Sequence, residues 1–380
     1  MRQKKSRRNW SRRSCESGTG LEHISKSFVM NPIAIIAAGM VTAVGLDAPS
    51  SCAAIRCAID NFSETRFMDK GGEWIVGSQV PLEQPWRGLP KLIHMVVPAI
   101  RECLAGTGKV SPEMIPLLLC VAEEKRPGRL QGLNEQLFSD VQAQLGVRFH
   151  PRSAVIARGR VAGGLALMLA RQLIYEERLP LCIIAGVDSF LVAGTLAAYE
   201  ERNRLLTSQN SNGFIPGEAG AAVLVCHPGR RSEGETRNGS GELLCLGIGT
   251  GEEKATIGSE EPLRADGMVQ AFRSALSDAN KTLADVDYRI TDCNGEQYLF
   301  KEAALAVTRT LRARKEEFEI WHPADCIGET GAAIGPCALG IALAAARKDY
   351  APGRGSLCHF SADDSDRLAL ILATGAGANN

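Results

Sequence analysis

No stretch of this 380-residue sequence stays apolar for the roughly 20 residues that a bilayer-spanning helix needs, which removes the basis for a membrane-spanning reading. The twelve cysteines include no CxxC pair and no even spacing, and the six histidines are dispersed. Neither a disulfide framework nor a clustered metal site is indicated, and no cofactor or metal is expected. Most cysteines sit in apolar runs, such as Cys120 in "PLLLCVA", Cys182 in "LCIIAGV" and Cys245 in "LLCLGIG". There they behave as small core hydrophobes in a reducing compartment. Beyond residue 29 there is no block of one charge and no polar low-complexity tract, which argues against a disordered or fibrous chain.

The formal net charge is zero, but it sums unlike parts. Residues 1–29 carry eight Lys/Arg against Glu16 and Glu22, leaving a mildly acidic body with no electrostatic reason to bind nucleic acid. The tail "MRQKKSRRNWSRRSCESGTG" has no apolar h-region, so it does not read as a secretory signal, although its composition is like that of an organelle transit peptide. It is read as a disordered basic extension or a start assigned too far upstream, because Met30 directly precedes the folded pattern at "NPIAIIAAGM". A cytoplasmic location is expected, with no membrane contact.

What is present is 45% apolar residues in short runs that alternate with helical patterns. "PIAIIAAGM" (32–40), "PLLLCVA" (116–122) and "LCIIAGVDS" (181–189) read as buried strands. "SSCAAIRCAI" (50–59) and "GLALMLARQLIY" (164–175) read as helices. The Gly-, Ser- and charge-rich segment 229–242 reads as a linker between a first half, 30–228, and a second, 243–377. The second half follows a similar order: a strand at "LLCLGIG", a helix near "MVQAFRSALSDA", a strand at "DYRITDC", a helix at "YLFKEAALAVTRTLRA", a strand at "FEIWH", a small-residue helix "GAAIGPCALGIALAAAR" and a strand at "RLALILA". Repetition of this kind is what a pseudo-duplicated α/β fold requires.

Four stretches together resemble the β-ketoacyl synthases of the thiolase superfamily. They are "AIIAAGMVTAVGLDAPSSCAAIRCAID", "LCIIAGVDSF", "NRLLTSQNSNGFIPGEAGAAVLV" and "ADCIGETGAAIGPCALGIALAA", in that family's order across most of residues 30–375. The resemblance implies a thiolase-like fold with five alternating layers and two related halves. It also implies a site in which a Cys at a helix N-terminus attacks a thioester while two His, or a His and an Asn, polarise the carbonyl.

This sequence departs from that site at each position. In "GRVAGGLAL" the Cys position is filled by Arg160, with Gly163 as the matching Gly; in "TDCNGEQ" Asn294 precedes Gly295 where the first His belongs; in "CIGETGAA" Gly328 takes the second, beside Glu329. The C-terminal loop carries Ser361, Asp363, Asp364 and Ser365 where the family has small residues. No catalytic residue is therefore expected, with Cys293 and Cys326, near His322, the fallback nucleophiles against the simpler reading of a buried strand end and a loop exit.

Arg160 has two readings: an anion-binding guanidinium at a helix start, or a partner of Glu296, Glu329 or Asp363 that closes the former pocket. Asn294 and Glu296 read as turn chemistry, or as an amide still aimed at a thioester carbonyl. Phe360 reads as an aromatic pocket gate or as core, and Glu218 in "PGEAGA" as architectural.

The implied function is that of a degenerate synthase acting as a non-catalytic scaffold, adaptor or binding protein, with a bacterial secretion-effector gene cluster as one setting. Two alternatives remain. One is an acyltransferase of the 3-oxoacyl synthase type, and the other a partner subunit like the chain-length factors of polyketide systems. The expected partners are a second copy, paired through "SAVIARG" (153–159), another protein of the same operon, or acyl carrier protein.

Overall fold

Strands that are apolar along their whole length need cover on both faces, and the order of elements supplies it. The computed structural model describes residues 31–230 and 242–375, so the basic extension and most of the expected linker lie outside the described residues. The first half contains β1 (Ile33–Val41), α1 (Ala48–Arg56), a hairpin of β2 (Phe62–Met68) and β3 (Trp74–Ser78), α2 (Gly88–Ala105), β4 (Leu117–Val121), α3 (Gln136–Leu145), β5 (Ala154–Ala157), α4 (Ala162–Tyr175), β6 (Leu181–Ser189), α5 (Ala193–Glu201) and β7 (Glu218–Cys226). The second contains β8 (Leu243–Glu252), α6 (Asp266–Asp278), β9 (Tyr288–Thr291), α7 (Gln297–Thr310), β10 (Ile320–Trp321), α8 (Ala324–Ile327), α9 (Ile334–Arg347), β11 (Gly355–Ser361) and β12 (Asp366–Thr374).

The two halves repeat each other strand for strand. The first is ordered β1-β7-β6-β4-β5 and the second β8-β12-β11-β9-β10. In each, the first two pairings are antiparallel and the last two parallel. A three-residue antiparallel contact between β1 and β8 joins them, so the hydrogen bonding forms one ten-stranded sheet instead of two separate ones.

Side chains alternate along the strands and so serve two cores at once. Leu117, Leu119, Ile183 and Leu224 face α2 and α3, while Leu118, Cys120, Ile184 and Val223 face α4 and α9. In the second half of the sheet Cys358, Phe360 and Leu370 join that same middle core, and Leu357, Ala369 and Ile371 face α6 and α7. The result is five layers with α4 and α9 in the centre.

The central helices touch at their starts. A Cβ on Gly163 would lie 3.0 Å from Cα of Gly335, and the reverse holds too, so both positions need glycine for the helices to approach. Each helix is entered in the same way, through a glycine at positive φ (Gly159, +54°; Gly331, +52°) and a 3-10 turn (Gly159–Val161; Gly331–Ala333).

Several elements differ from their sequence reading. "DYRITDC" is strand only over 288–291, which frees Asp292, Cys293 and Asn294 for a loop, and "FEIWH" keeps two strand residues. Part of "CHFSADDSDRLAL" is the strand β11, whose register with β12 pairs Ser361 with Arg367 and leaves only 362–365 as a turn. Among the described residues no helix is long and apolar enough to cross a membrane.

Candidate functional site

Arg160 lies in the 3-10 turn that enters α4, and it is 6% exposed. Gly159 turns the chain there at a φ of +54°, and the Glu123 carboxylate lies in the space beside it where a Cβ would project. The guanidinium meets three carboxylates from the second half. Its Nη1 donates to Glu329 Oε2 at 3.0 Å, its Nη2 donates to Asp363 Oδ1 at 2.6 Å, and its Nε stands 3.5 Å from Asp292 Oδ2. Glu329 also accepts the Gly331 amide at 2.9 Å and the side-chain amide of Asn294.

A second guanidinium closes the group. Arg204, just beyond α5, grips Glu296 with two hydrogen bonds of 2.6 and 2.8 Å and reaches both oxygens of Asp363 at 2.6 and 3.1 Å. Tyr199 donates its hydroxyl to Asp363 Oδ2 at 2.8 Å. Burial opposes ionisation of Asp363, but Arg160 and Arg204 outweigh it and hold its carboxyl well below the usual range. Burial likewise works against the charge on Arg160, and Glu329, Asp363 and Asp292 more than restore it. A third pair lies alongside, in which Arg126 binds Glu123 at 2.6 and 2.8 Å, approaches Asp188 at 3.3 Å and stacks over Phe190 at 4.1 Å. Arg160 and Arg204 come from the first half, and Asp292, Glu296, Glu329 and Asp363 from the second. The cluster is an ionic clasp across the seam of the fold.

Little room is left inside it. The void bounded by Arg126, Arg160, Arg204, Tyr199, Glu329 and Asp363 holds about 10 Å³, roughly the space of one water. Arg204 and Asp363 separate it from an open cleft of about 620 Å³, lined also by Arg202, Asn203, Asn212, Thr256 and Tyr298. A guanidinium spent on carboxylates neither attacks a thioester nor serves as a free anion site.

Of the residues singled out in the sequence, the structure gathers Arg160, Asn294, Glu296, Glu329 and Asp363. It leaves the others apart. Phe360 does not line the void; it is fully buried in the middle core, because its place on β11 points it at the central helices. Gly328 has a positive φ of 67° and sits where a Cβ would meet the Ile215 carbonyl at 2.8 Å, so its role is in the backbone. Cys293 packs with Leu299 and Ala303, and burial pushes its thiol up to about 12. Cys326 packs against α1 and the core beside β1, and burial, with Asp325 adding to it, raises its thiol to about 11. His322 pairs with Asp325 at 2.8 Å and Phe300 at 5.5 Å, outside the clasp. Glu218 is architectural in its contacts, accepting from Ser189 Oγ at 2.7 Å and the Val80 amide at 3.0 Å and pairing with Lys91 at 2.6 Å.

These thiols make a direct prediction. Iodoacetamide at pH 8 labels Cys57, the exposed cysteine among the described residues, and leaves Cys293 and Cys326 unlabelled in the native protein, as read by peptide mapping. Fast labelling of either would return it as a nucleophile.

Reading the sequence missed Arg204, Tyr199, Asp292 and the Arg126 pair. A signal existed for some: Asp188, next to last in β6, is a charge in an otherwise apolar run, and Asp292 directly follows β9. Among the described residues no group of His, Cys, Asp and Glu is arranged to hold a metal ion.

Comparison with solved structures shows the same architecture. A chain of the ketosynthase in complex with its chain length factor from Xenorhabdus doucetiae superposes with a TM-score of 0.72 at 13% identity, covering 91% of this chain and 98% of that one. The ishigamide ketosynthase/chain length factor gives 0.72 at 14% identity over 92% and 100%. The oxazolomycin ketosynthase domain of Streptomyces albus gives 0.70 at 15% over 92% and 76%. This is the ketosynthase form of the thiolase fold. In sequence, the chain is 31% identical to the actinorhodin polyketide putative beta-ketoacyl synthase 2 of Streptomyces coelicolor over 211 residues. That match covers 52% of this chain and 49% of the relative, so the chain spans about half the length of the curated protein it matches. No family profile matches it.

Proposed function

We propose that this chain is a non-catalytic ketosynthase-like subunit that acts by pairing with another protein of the same fold, in the manner of a chain length factor. The observation that carries this is Arg160. It stands where the resemblance puts the nucleophile, and it is bound by Glu329 and Asp363 with Asp292 alongside, in a void of about 10 Å³ that has no room for an acyl chain.

A second feature supports pairing. Among the described residues β5, with the apolar sequence AVIA, hydrogen-bonds only to β4 and forms one open edge of the ten-stranded sheet. An uncharged open edge without Pro invites another strand. The solved complexes named above join a ketosynthase to a chain length factor, which fits a partner chain of this type.

The test incubates the full chain with acyl carrier protein and coenzyme A thioesters of several chain lengths and reads intact mass. It then mixes the chain with an active polyketide ketosynthase and reads mass by light scattering. The expected result is no adduct and a complex containing both chains. An acyl adduct on Cys293 or Cys326, abolished by Ser at that position, would reinstate the acyltransferase reading. A homodimer indifferent to the ketosynthase would favour a scaffold or adaptor.

A further inference from the structure

Behind the clasp a line of polar groups continues into the core. Asp292 Oδ1 lies 3.3 Å from Thr291 Oγ1, and Thr291 Oγ1 lies 3.3 Å from His359 Nδ1. The three residues are 3%, 0% and 1% exposed. His359 stands edge-on to Phe272, and its Nε2 has no hydrogen-bond partner among the described residues. The other oxygen of Asp292 accepts the Ser361 amide at 2.7 Å.

A hydroxyl carries one hydrogen, so this chain of atoms has two self-consistent directions. With Asp292 protonated, its acid hydrogen is donated to Thr291 Oγ1, the threonine donates to His359 Nδ1, and the imidazole hydrogen sits on Nε2. With Asp292 ionised, the threonine donates to the carboxylate, His359 donates from Nδ1, and Nε2 is bare. Between the two states the Asp292 acid hydrogen passes to Thr291, the threonine hydrogen passes to His359 Nδ1 and the Nε2 hydrogen is released, so one proton is lost in all and the imidazole remains neutral. The Cys293 thiol, 3.6 Å from Thr291 Oγ1, is a weak competing acceptor.

We propose that Asp292, Thr291 and His359 form a buried proton relay, and that loss of the Asp292 proton reverses it and weakens the clasp between the two halves. The relay goes beyond the proposed function and holds whether or not the chain transfers acyl groups.

The charges around Asp292 give the reversal its energetic weight. Arg160, from the start of α4, is already shared by Glu329 and Asp363. Arg204 is committed to Glu296 and Asp363, and Glu302 of α7 is committed to Arg367 of β12. An ionised Asp292 therefore joins an acidic excess with only a shared cation, the Arg160 Nε at 3.5 Å, among the described residues. Burial lifts its carboxyl to about 7; Arg160 and the Ser361 amide pull it down, and Glu329 and Glu302 push it up. Burial, with Arg289 adding to it, takes His359 down to about 3, which keeps it neutral throughout. The sign follows: the folded carboxyl lies above its ordinary 3.8, so this contribution to stability is complete below pH 4 and is lost as pH rises through about 7.

The test uses full-length protein with 15N-labelled histidine, with His359→Asn to assign its signals, between pH 5.5 and 8.5. Wild type is expected to move the His359 hydrogen from Nε2 to Nδ1 with a midpoint about pH 7, while its Tm falls. Asp292→Asn, whose amide donates to Thr291 as the acid does, should hold the Nε2–H tautomer and lose that fall in Tm. Thr291→Val separates the parts: the fall in Tm persists and the tautomer stops responding. A single tautomer in wild type across the range, or a switch that survives in either Asp292→Asn or Thr291→Val, overturns the relay.

Discussion

Replacing Arg160 by Met will destabilise the protein by about 3–5 kcal/mol, because it removes one partner from a buried ion cluster and leaves the others without it. Met retains much of the apolar stem, so the loss reports the charge and not the volume. Glu329 keeps the Gly331 amide and Asn294 but loses its guanidinium, Asp363 keeps Arg204 and Tyr199, and Asp292 keeps only Ser361 and Thr291. Urea unfolding reads the effect as a drop in midpoint at constant m-value. Adding Glu329→Gln to the Met variant should recover part of the loss, because it removes a charge left without its cation. A cost below about 1 kcal/mol, the range of an exposed pair, would mean that Arg160 does not clasp the halves. Phosphate should not stabilise wild type, since a guanidinium free to bind anions would be needed for that.

Arg367→Met is the second large effect, again about 3–5 kcal/mol by loss of a buried partner. Arg367 and Glu302 are 0% and 1% exposed in their side chains and 2.7 Å apart. Arg367 also donates to Tyr298 Oη at 2.8 Å and to the carbonyls of Ala362, Asp364 and Asp366 at 3.1, 2.8 and 2.9 Å. The first two carbonyls belong to the turn that carries Asp363 and the third opens β12, so Arg367 positions the clasp without touching Arg160 or Arg204. The expected signature beyond lost stability is faster amide exchange over 362–366 and in the segment around Arg204. The surface pair Arg309–Asp266, half-exposed, is the control, and its Arg→Met change should cost less than about 1 kcal/mol. If Arg367→Met behaves like that control, the turn is held by β11–β12 pairing alone.

The strands were legible because burial on both faces writes itself as an unbroken apolar run. "LCIIAGVDS" is the strand Leu181–Ser189 residue for residue, and the order of elements foretold two matching halves. Around the site, "GRVAGG" gave a residue unable to act as nucleophile, and "SADDSD" gave acidic partners of the right sign. Local pattern could not supply the rest. Arg204 follows a helix among other charged residues, in "EERNRLL", and nothing nearby separates it from a solvated surface arginine. Asp292 reads as the end of a strand, and Phe360 reads equally as a gate or as core. What decided these roles was the folding of the two halves onto each other, which brings Arg160, Arg204, Asp292, Glu296, Glu329 and Asp363 within hydrogen-bond or ion-pair reach across as many as 203 positions of sequence. A strand is determined by its own side chains and the burial they need. An ionic clasp is determined by which side chains lose their water together, and only the tertiary structure sets that.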